Sequence, residues 1–222
     1  MPLPIIEMLR RSARLGHLED LIAYCQVADA RSTDTYGLNP LMHAARADQR
    51  ECVLYLLGQS DPRARSKDGK TALMHAAQSG SESCAPLLLA ACDPLAVDRN
   101  HRTALIIAAT HNRLGCARLL APRSVFCARD LNGRTALAHA CVFGFEPMSM
   151  LLLQLADLTR DMPAIAEAMA LARATHNQPI ADAIQRWLDS DCEARDLASE
   201  IRRPGARPSQ GSMPGSGPRQ RL

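Results

Sequence analysis

The chain has 222 residues, a net charge of +3 and 47 % hydrophobic residues, yet only 3 % are aromatic. Its core must therefore come from Leu, Ala, Ile, Val and Met. That suits packed helices, where Ala and Leu are strong formers, and argues against an all-β domain, which draws on aromatic and β-branched residues. No run of about 18 apolar residues occurs, so no transmembrane helix is expected.

The N-terminal stretch MPLPIIEMLRRSARLGHLED lacks a sustained apolar segment and a small-residue cleavage site, which predicts no secretory signal. Eight cysteines (25, 52, 84, 92, 116, 127, 141 and 192) include no C-x-x-C pair. Free thiols in a reducing, intracellular and cytoplasmic setting are the expectation.

From Gly37 onward the chain repeats itself. GLNPLMHAA begins at Gly37, GKTALMHAA at Gly69, HRTALIIAA at His101 and GRTALAHAC at Gly133, a constant spacing of 32. ECVLYLL at Glu51, SCAPLLL at Ser83, GCARLLA at Gly115 and PMSMLLL at Pro147 keep the same register. Extending that register predicts six units, 2–33, 34–65, 66–97, 98–129, 130–161 and 162–189.

Each unit reads as helix, turn, helix, connector. TALMHAAQS carries a broad apolar stripe at 72, 73, 74, 76 and 77. Asn39, Thr71, Thr103 and Thr135 stand where a side-chain oxygen can cap the first turn. Between the paired helices come Gly16, Asp48, Gly80, Asn112 and Gly144, the residue types a left-handed turn accepts. Pro147 and Pro179 fall at the start of second helices; Pro86 lies deeper and predicts a delayed start or a kink. His101 in place of a turn glycine, with Pro122 soon after the second helix, marks the fourth unit as the weakest.

These residues resemble the ankyrin repeat: a DGKT or NGRT turn, then TALxxAA, then a second helix ending in LL, then DPxA. The resemblance covers residues 4–189, with degenerate first and last units that suit caps. It implies an all-α solenoid of stacked helix-turn-helix units acting as a non-catalytic protein-interaction scaffold. Two departures stand out. The family's TPLHxAA places histidine where this chain has Met42, Met74, Ile106 and Ala138, one position before His43, His75 and His139. The unit is also 32 residues long rather than the commoner 33.

The chemical alternatives are weaker. Cys52, Cys84 and Cys116 recur with Met148 next in the column. Equivalent residues of neighbouring units lie about 8–10 Å apart, too far to share a zinc ion or a disulfide. Core thiols are expected instead, with no cofactor. His75 and Cys84 have no acidic orienting residue recurring with them, and Ile107 fills the histidine column in the fourth unit, so no catalytic set is predicted.

The resemblance implies a binding surface of turn tips and first-helix ends. It maps here to Tyr36, Leu38, Arg46, Arg65, Lys67, Lys70, Gln78, Ser79, Arg99, Arg102, His111, Arg129, Leu131, Arg134, Val142 and Phe143. The set is strongly basic and holds both lysines of the chain. The expected partner is therefore a protein with an acidic or phosphorylated segment, met by a monomer.

At the C-terminus, Ile180, Ala183, Ile184, Trp187 and Leu188 predict a buried helical stripe that continues into a helical extension, 190–203. Residues 201–222 hold five arginines and no acid, which leaves 1–200 at −2. Residues 204–222 are rich in Gly, Pro and Ser and are expected to be disordered. The alternative function is an accessory or regulatory subunit whose Arg-rich tail binds nucleic acid or an acidic membrane. The absence of interleaved aromatics argues against nucleic acid.

Overall fold

The computed structural model of the full chain describes residues 4–201, apart from the side chains of 158–160 and 191–201. The expected disorder of 204–222 and the basic-tail reading lie outside the described residues. The chain divides into two units, residues 1–184 and 185–222.

The described residues form twelve α-helices and no strand. They come in pairs: α1 (Ile5–Leu15) with α2 (Leu18–Cys25), α3 (Pro40–Arg46) with α4 (Arg50–Leu57), and α5 (Ala72–Ser79) with α6 (Ala85–Ala91). α7 (Ala104–Thr110) with α8 (Leu114–Leu120), and α9 (Ala136–Val142) with α10 (Glu146–Leu155), follow. α11 (Leu158–Ala174) and α12 (Gln178–Ile201) end the series, and a 3-10 turn (Ala121–Arg123) follows α8. Each first helix packs on the next, α1 through α11, and α2, α4, α6, α8 and α10 form a second row.

Short helices of seven or eight residues cannot persist alone, so packing and caps hold them. The caps are those expected: Asn39 accepts from Met42 N, Thr71 from Met74 N, Thr103 from Ile106 N and Thr135 from Ala138 N, at 2.9–3.4 Å. Paired small residues, Ala44–Ala45, Ala76–Ala77, Ala108–Ala109 and Ala140–Cys141, are at most 1 % exposed and let the helix backbones approach closely. Leu41, Leu73, Leu105 and Leu137 bury beside them, as do Leu56, Leu88, Leu120 and Leu152 on the second row.

The turns between paired helices are left-handed, with φ of 81° at Gly16, 57° at Asp48, 86° at Gly80, 54° at Asn112 and 76° at Gly144. His176, at 60°, extends that column by one unit. α6 starts at Ala85, three residues later than its equivalents α4 and α8, which is the delay Pro86 predicts. Pro147 sits in the first turn of α10, where its missing N–H costs nothing.

Two expectations are corrected. The sixth unit has no turn before its first helix: α11 begins at Leu158 and occupies the positions where the other units have a hairpin. The residues that would make one are absent. Met162, Ile165 and Glu167 replace Asp130, Gly133 and Thr135, in an alanine-rich stretch that favours helix. At the other end, Ile180, Ala183 and Ile184 are buried, but Trp187 and Leu188 are only half-buried.

His101 has φ of 59°, where Gly37, Gly69 and Gly133 have 75–77°. A side chain in that region carries strain of about 1 kcal/mol. His101→Gly is therefore expected to stabilise the protein by about 0.5–1 kcal/mol in urea denaturation, the unfolded-state entropy of glycine offsetting part of the relief. An unchanged midpoint would show that His101 is not strained.

Candidate functional site

Four hairpin turns precede α3, α5, α7 and α9, and all share one construction. Asp34, Ser66, Asp98 and Asp130 each open a turn that a backbone N–H closes from Gly37, Gly69, His101 and Gly133. The carboxylate of each aspartate then accepts two more backbone donors: Tyr36 and Leu38 at Asp34, Asn100 and Arg102 at Asp98, Asn132 and Arg134 at Asp130. Ser66 is shorter and accepts only from Lys70 N, at 3.2 Å.

The hairpins are joined tip to tip by backbone. Lys67 N donates to Tyr36 O, Arg99 N to Asp68 O and Leu131 N to Asn100 O, at 2.9–3.0 Å. The tips therefore stand in one row at the unit spacing. Arg65 adds a side-chain link, donating to Gly69 O in the hairpin that follows it and to Val97 O at the end of that same unit.

The second carboxylate oxygen finds the histidine column. Asp34 Oδ2 lies 3.0 Å from His43 Nε2, and Asp130 Oδ2 lies 2.8 Å from His139 Nε2. An acid does recur with these histidines, contrary to expectation, nine residues upstream. The pairs brace the hairpin against the helix. The Asp130 and His139 side chains are 3 % and 7 % exposed and are occupied with each other. Burial alone would raise the Asp34 and Asp130 carboxyls, but backbone donors and the histidine rings outweigh it and hold both below the usual range. In the fourth unit Ile107 offers no nitrogen, and Asp98 Oδ2 instead takes Arg102 Nε and Nη2 at 3.0 and 2.8 Å.

The surface residues fall into two groups. Tyr36 is 72 % exposed, Leu131 63 % and Phe143 51 %. Arg46, Arg65, Lys67 and Arg99 are exposed and Arg134 is half-exposed, and none of them meets an acidic side chain among the described residues. The other candidates are occupied. Leu38 is core, at 7 % exposure. Lys70 is also buried, its Nζ 2.8 Å from Gln78 Oε1, so these two partner each other. Arg102 is spent on Asp98, and Arg129 forms a two-pronged pair with Glu167 of α11 at 2.7 and 3.0 Å. His111 Nδ1 lies 2.9 Å from Ile107 O, while Val142 and Ser79 are half-buried. Phe143 stacks between His139 and Phe145, with ring centroids 6.1 and 5.8 Å apart.

The family model for ankyrin repeats (3 copies) matches residues 9–98 and 87–162. The chain belongs to the ankyrin repeat family. Ankyrin repeats generally mediate protein–protein interaction and are typically non-catalytic. No curated protein sequence matches the chain.

The ankyrin frame explains the displaced histidine. Met42, Met74, Ile106 and Ala138, at the family's usual histidine position, are 1 % exposed and pack as core. In units 34–65 and 130–161 the histidine one place later points back to the hairpin aspartate. The recurring Cys52, Cys84 and Cys116 are likewise buried, at 0–1 % exposure. Burial pushes the Cys84 thiol up to about 12 and the Cys116 thiol up to about 11, which disfavours their thiolates and suits packing positions. Among the described residues no three His, Cys, Asp or Glu side chains converge as a metal site, and no helix is long and apolar enough to cross a membrane.

Proposed function

We propose that the protein is a non-catalytic ankyrin adaptor that holds an acidic segment of a partner protein along its row of hairpin tips. The observation that carries this reading is the placing of Lys67 and Arg99 at equivalent positions of consecutive hairpins, with Arg134 on the next hairpin and Arg46 and Arg65 beside them. Backbone bonds fix the row, and among the described residues no acidic side chain pairs with these cations. Tyr36 and Leu131, large apolar side chains exposed on the first and last of the joined tips, add contact surface of the kind that anchors interfaces. An extended acidic chain can follow such a row and meet a cation at each unit, gaining association rate and specificity from the complementary charge.

The test is the triple variant Lys67→Glu, Arg99→Glu, Arg134→Glu. Arg102 is excluded because reversing it would set Glu against Asp98 inside the hairpin. With a fluorescent hexaglutamate peptide at low salt, the variant is expected to bind about tenfold more weakly or worse, with unchanged helicity by circular dichroism. Undiminished binding would overturn the placement.

A further inference from the structure

Unit 66–97 breaks the pattern of its neighbours in one respect. In units 34–65 and 130–161 the histidine meets the hairpin aspartate, and in unit 98–129 both the histidine and its need for an acid are gone. Only here does the histidine remain while the acid is missing. The Ser66 hydroxyl serves Lys70 N and stops there. His75 is 6 % exposed, and its Nε2 is buried with no hydrogen-bond partner. A buried polar nitrogen left unpaired is disfavoured and rare.

The surroundings are cationic. Lys70 on the same hairpin, and Arg46 and His43 on α3, face His75, against Asp68 at the hairpin tip; Arg102 of the next hairpin faces Lys70, with Asp98 behind it. Lys70 is also buried as a residue, and its ammonium rests on the neutral Gln78 amide. Gln78 lies three residues beyond His75, on the same face of α5. Lys70 and His75, close enough to act on each other electrostatically, therefore stand beside a hairpin that carries serine where the neighbouring units hold a carboxylate.

We propose that Ser66, Lys70 and His75 form a carboxylate-binding subsite, which takes an aspartate or glutamate side chain of the partner in the place that Asp34 and Asp130 fill from within. It rests on the acidic-partner reading and adds to it a defined anchor. The incoming carboxylate displaces the Gln78 amide from Lys70 Nζ and accepts the proton of His75 Nε2. Gln78 and Lys70 act as a latch over the histidine until then. The bound carboxylate offsets the burial and positive charge that push His75 down to about 4 in the free protein. Its titration therefore moves upward on binding.

The experiment follows the histidine ring nitrogens of the full chain by long-range proton–nitrogen NMR while hexaglutamate is added. The expected result is a shift of the His75 Nε2 signal and an apparent pKa at least about one unit higher. Ser66→Asp supplies the carboxylate internally. It is expected to weaken peptide binding about five- to tenfold and to silence the His75 response. Thr35→Asp, the same charge on an exposed neighbouring tip, should weaken binding less than Ser66→Asp. Binding that leaves His75 unmoved, or equal affinity for wild type and Ser66→Asp, would overturn the subsite and leave the wider acidic surface standing. Absence of peptide binding to wild type would overturn both. A response to inorganic phosphate but none to hexaglutamate would overturn the carboxylate assignment. The wild-type NMR titration decides the matter even if a variant fails to fold.

Discussion

Replacing His75 with isoleucine is expected to make the protein resist acid. The native ring is buried, and burial, with Lys70, Arg46 and His43 close by, pushes its pKa down to about 4. In the unfolded chain the same ring titrates near its ordinary value, about 6.5. As pH falls below that value the unfolded state takes up a proton that the native state refuses. Stability is therefore full above about pH 6.5, falls as pH drops toward 4, and levels off below it. The total loss is about 3 kcal/mol, of which about 2 kcal/mol has occurred by pH 5. Isoleucine is tolerated in this column, since Ile107 is fully buried at the equivalent position. It also removes the unpaired nitrogen. Urea denaturation from pH 4 to 8 should show a flatter curve for His75→Ile, with the two proteins about 2 kcal/mol further apart at pH 5 than at pH 7.5. A residual slope from His43 persists, because burial depresses it as well, with Asp34 pulling partly the other way. Parallel curves would refute the assignment.

Asp130→Ala is expected to be the most damaging hairpin substitution. The carboxylate is almost fully buried and serves three donors, the backbone N–H groups of Asn132 and Arg134 and the His139 ring. Alanine strands all three, at a cost of about 3 kcal/mol. Asp130→Asn keeps an acceptor for the backbone donors and should lose about half as much. The acid dependence runs in the usual carboxylate direction. The Asp130 pKa is held down in the folded protein, so its contribution is present above the unfolded value of about 4 and is lost as pH falls through the lower folded one. That window lies below the one governed by His75, so the two variants should alter different parts of the same pH curve. Equal stability of Asp130→Ala and wild type would mean that the hairpin does not depend on its acid.

Much of this structure could be read from the sequence because the signals repeat. One capping residue before a helix could be chance, but Asn39, Thr71, Thr103 and Thr135 repeat it before four, and the column Gly16, Asp48, Gly80, Asn112, Gly144 names a backbone conformation. What the sequence hid was direction. Leu38, Lys70, Arg102 and Arg134 share a column, and by composition three of them look like surface cations. In the folded chain Leu38 joins the core, Lys70 reaches Gln78 of α5 and Arg102 reaches Asp98, while Arg134 stays half-exposed. The Asp–His bracing was also present as a nine-residue spacing. It passed unread because its second and third copies are broken by Ser66 and Ile107. The long α11 follows from residues that are missing, and only a comparison of the sixth unit with the others, position by position, would have shown that its hairpin cannot form.

The row of tips is tied together through Tyr36 O, Asp68 O and Asn100 O, atoms that every amino acid possesses. Stability and recognition are therefore written in different parts of the same residues. The main chain carries the registration of one unit on the next, and the side chains at 35, 36, 67, 68, 99, 100, 131 and 132 carry almost none of it. Those positions can be exchanged at little cost to folding, so the proposed binding surface can be retuned to a new partner one residue at a time while the scaffold beneath it stays the same.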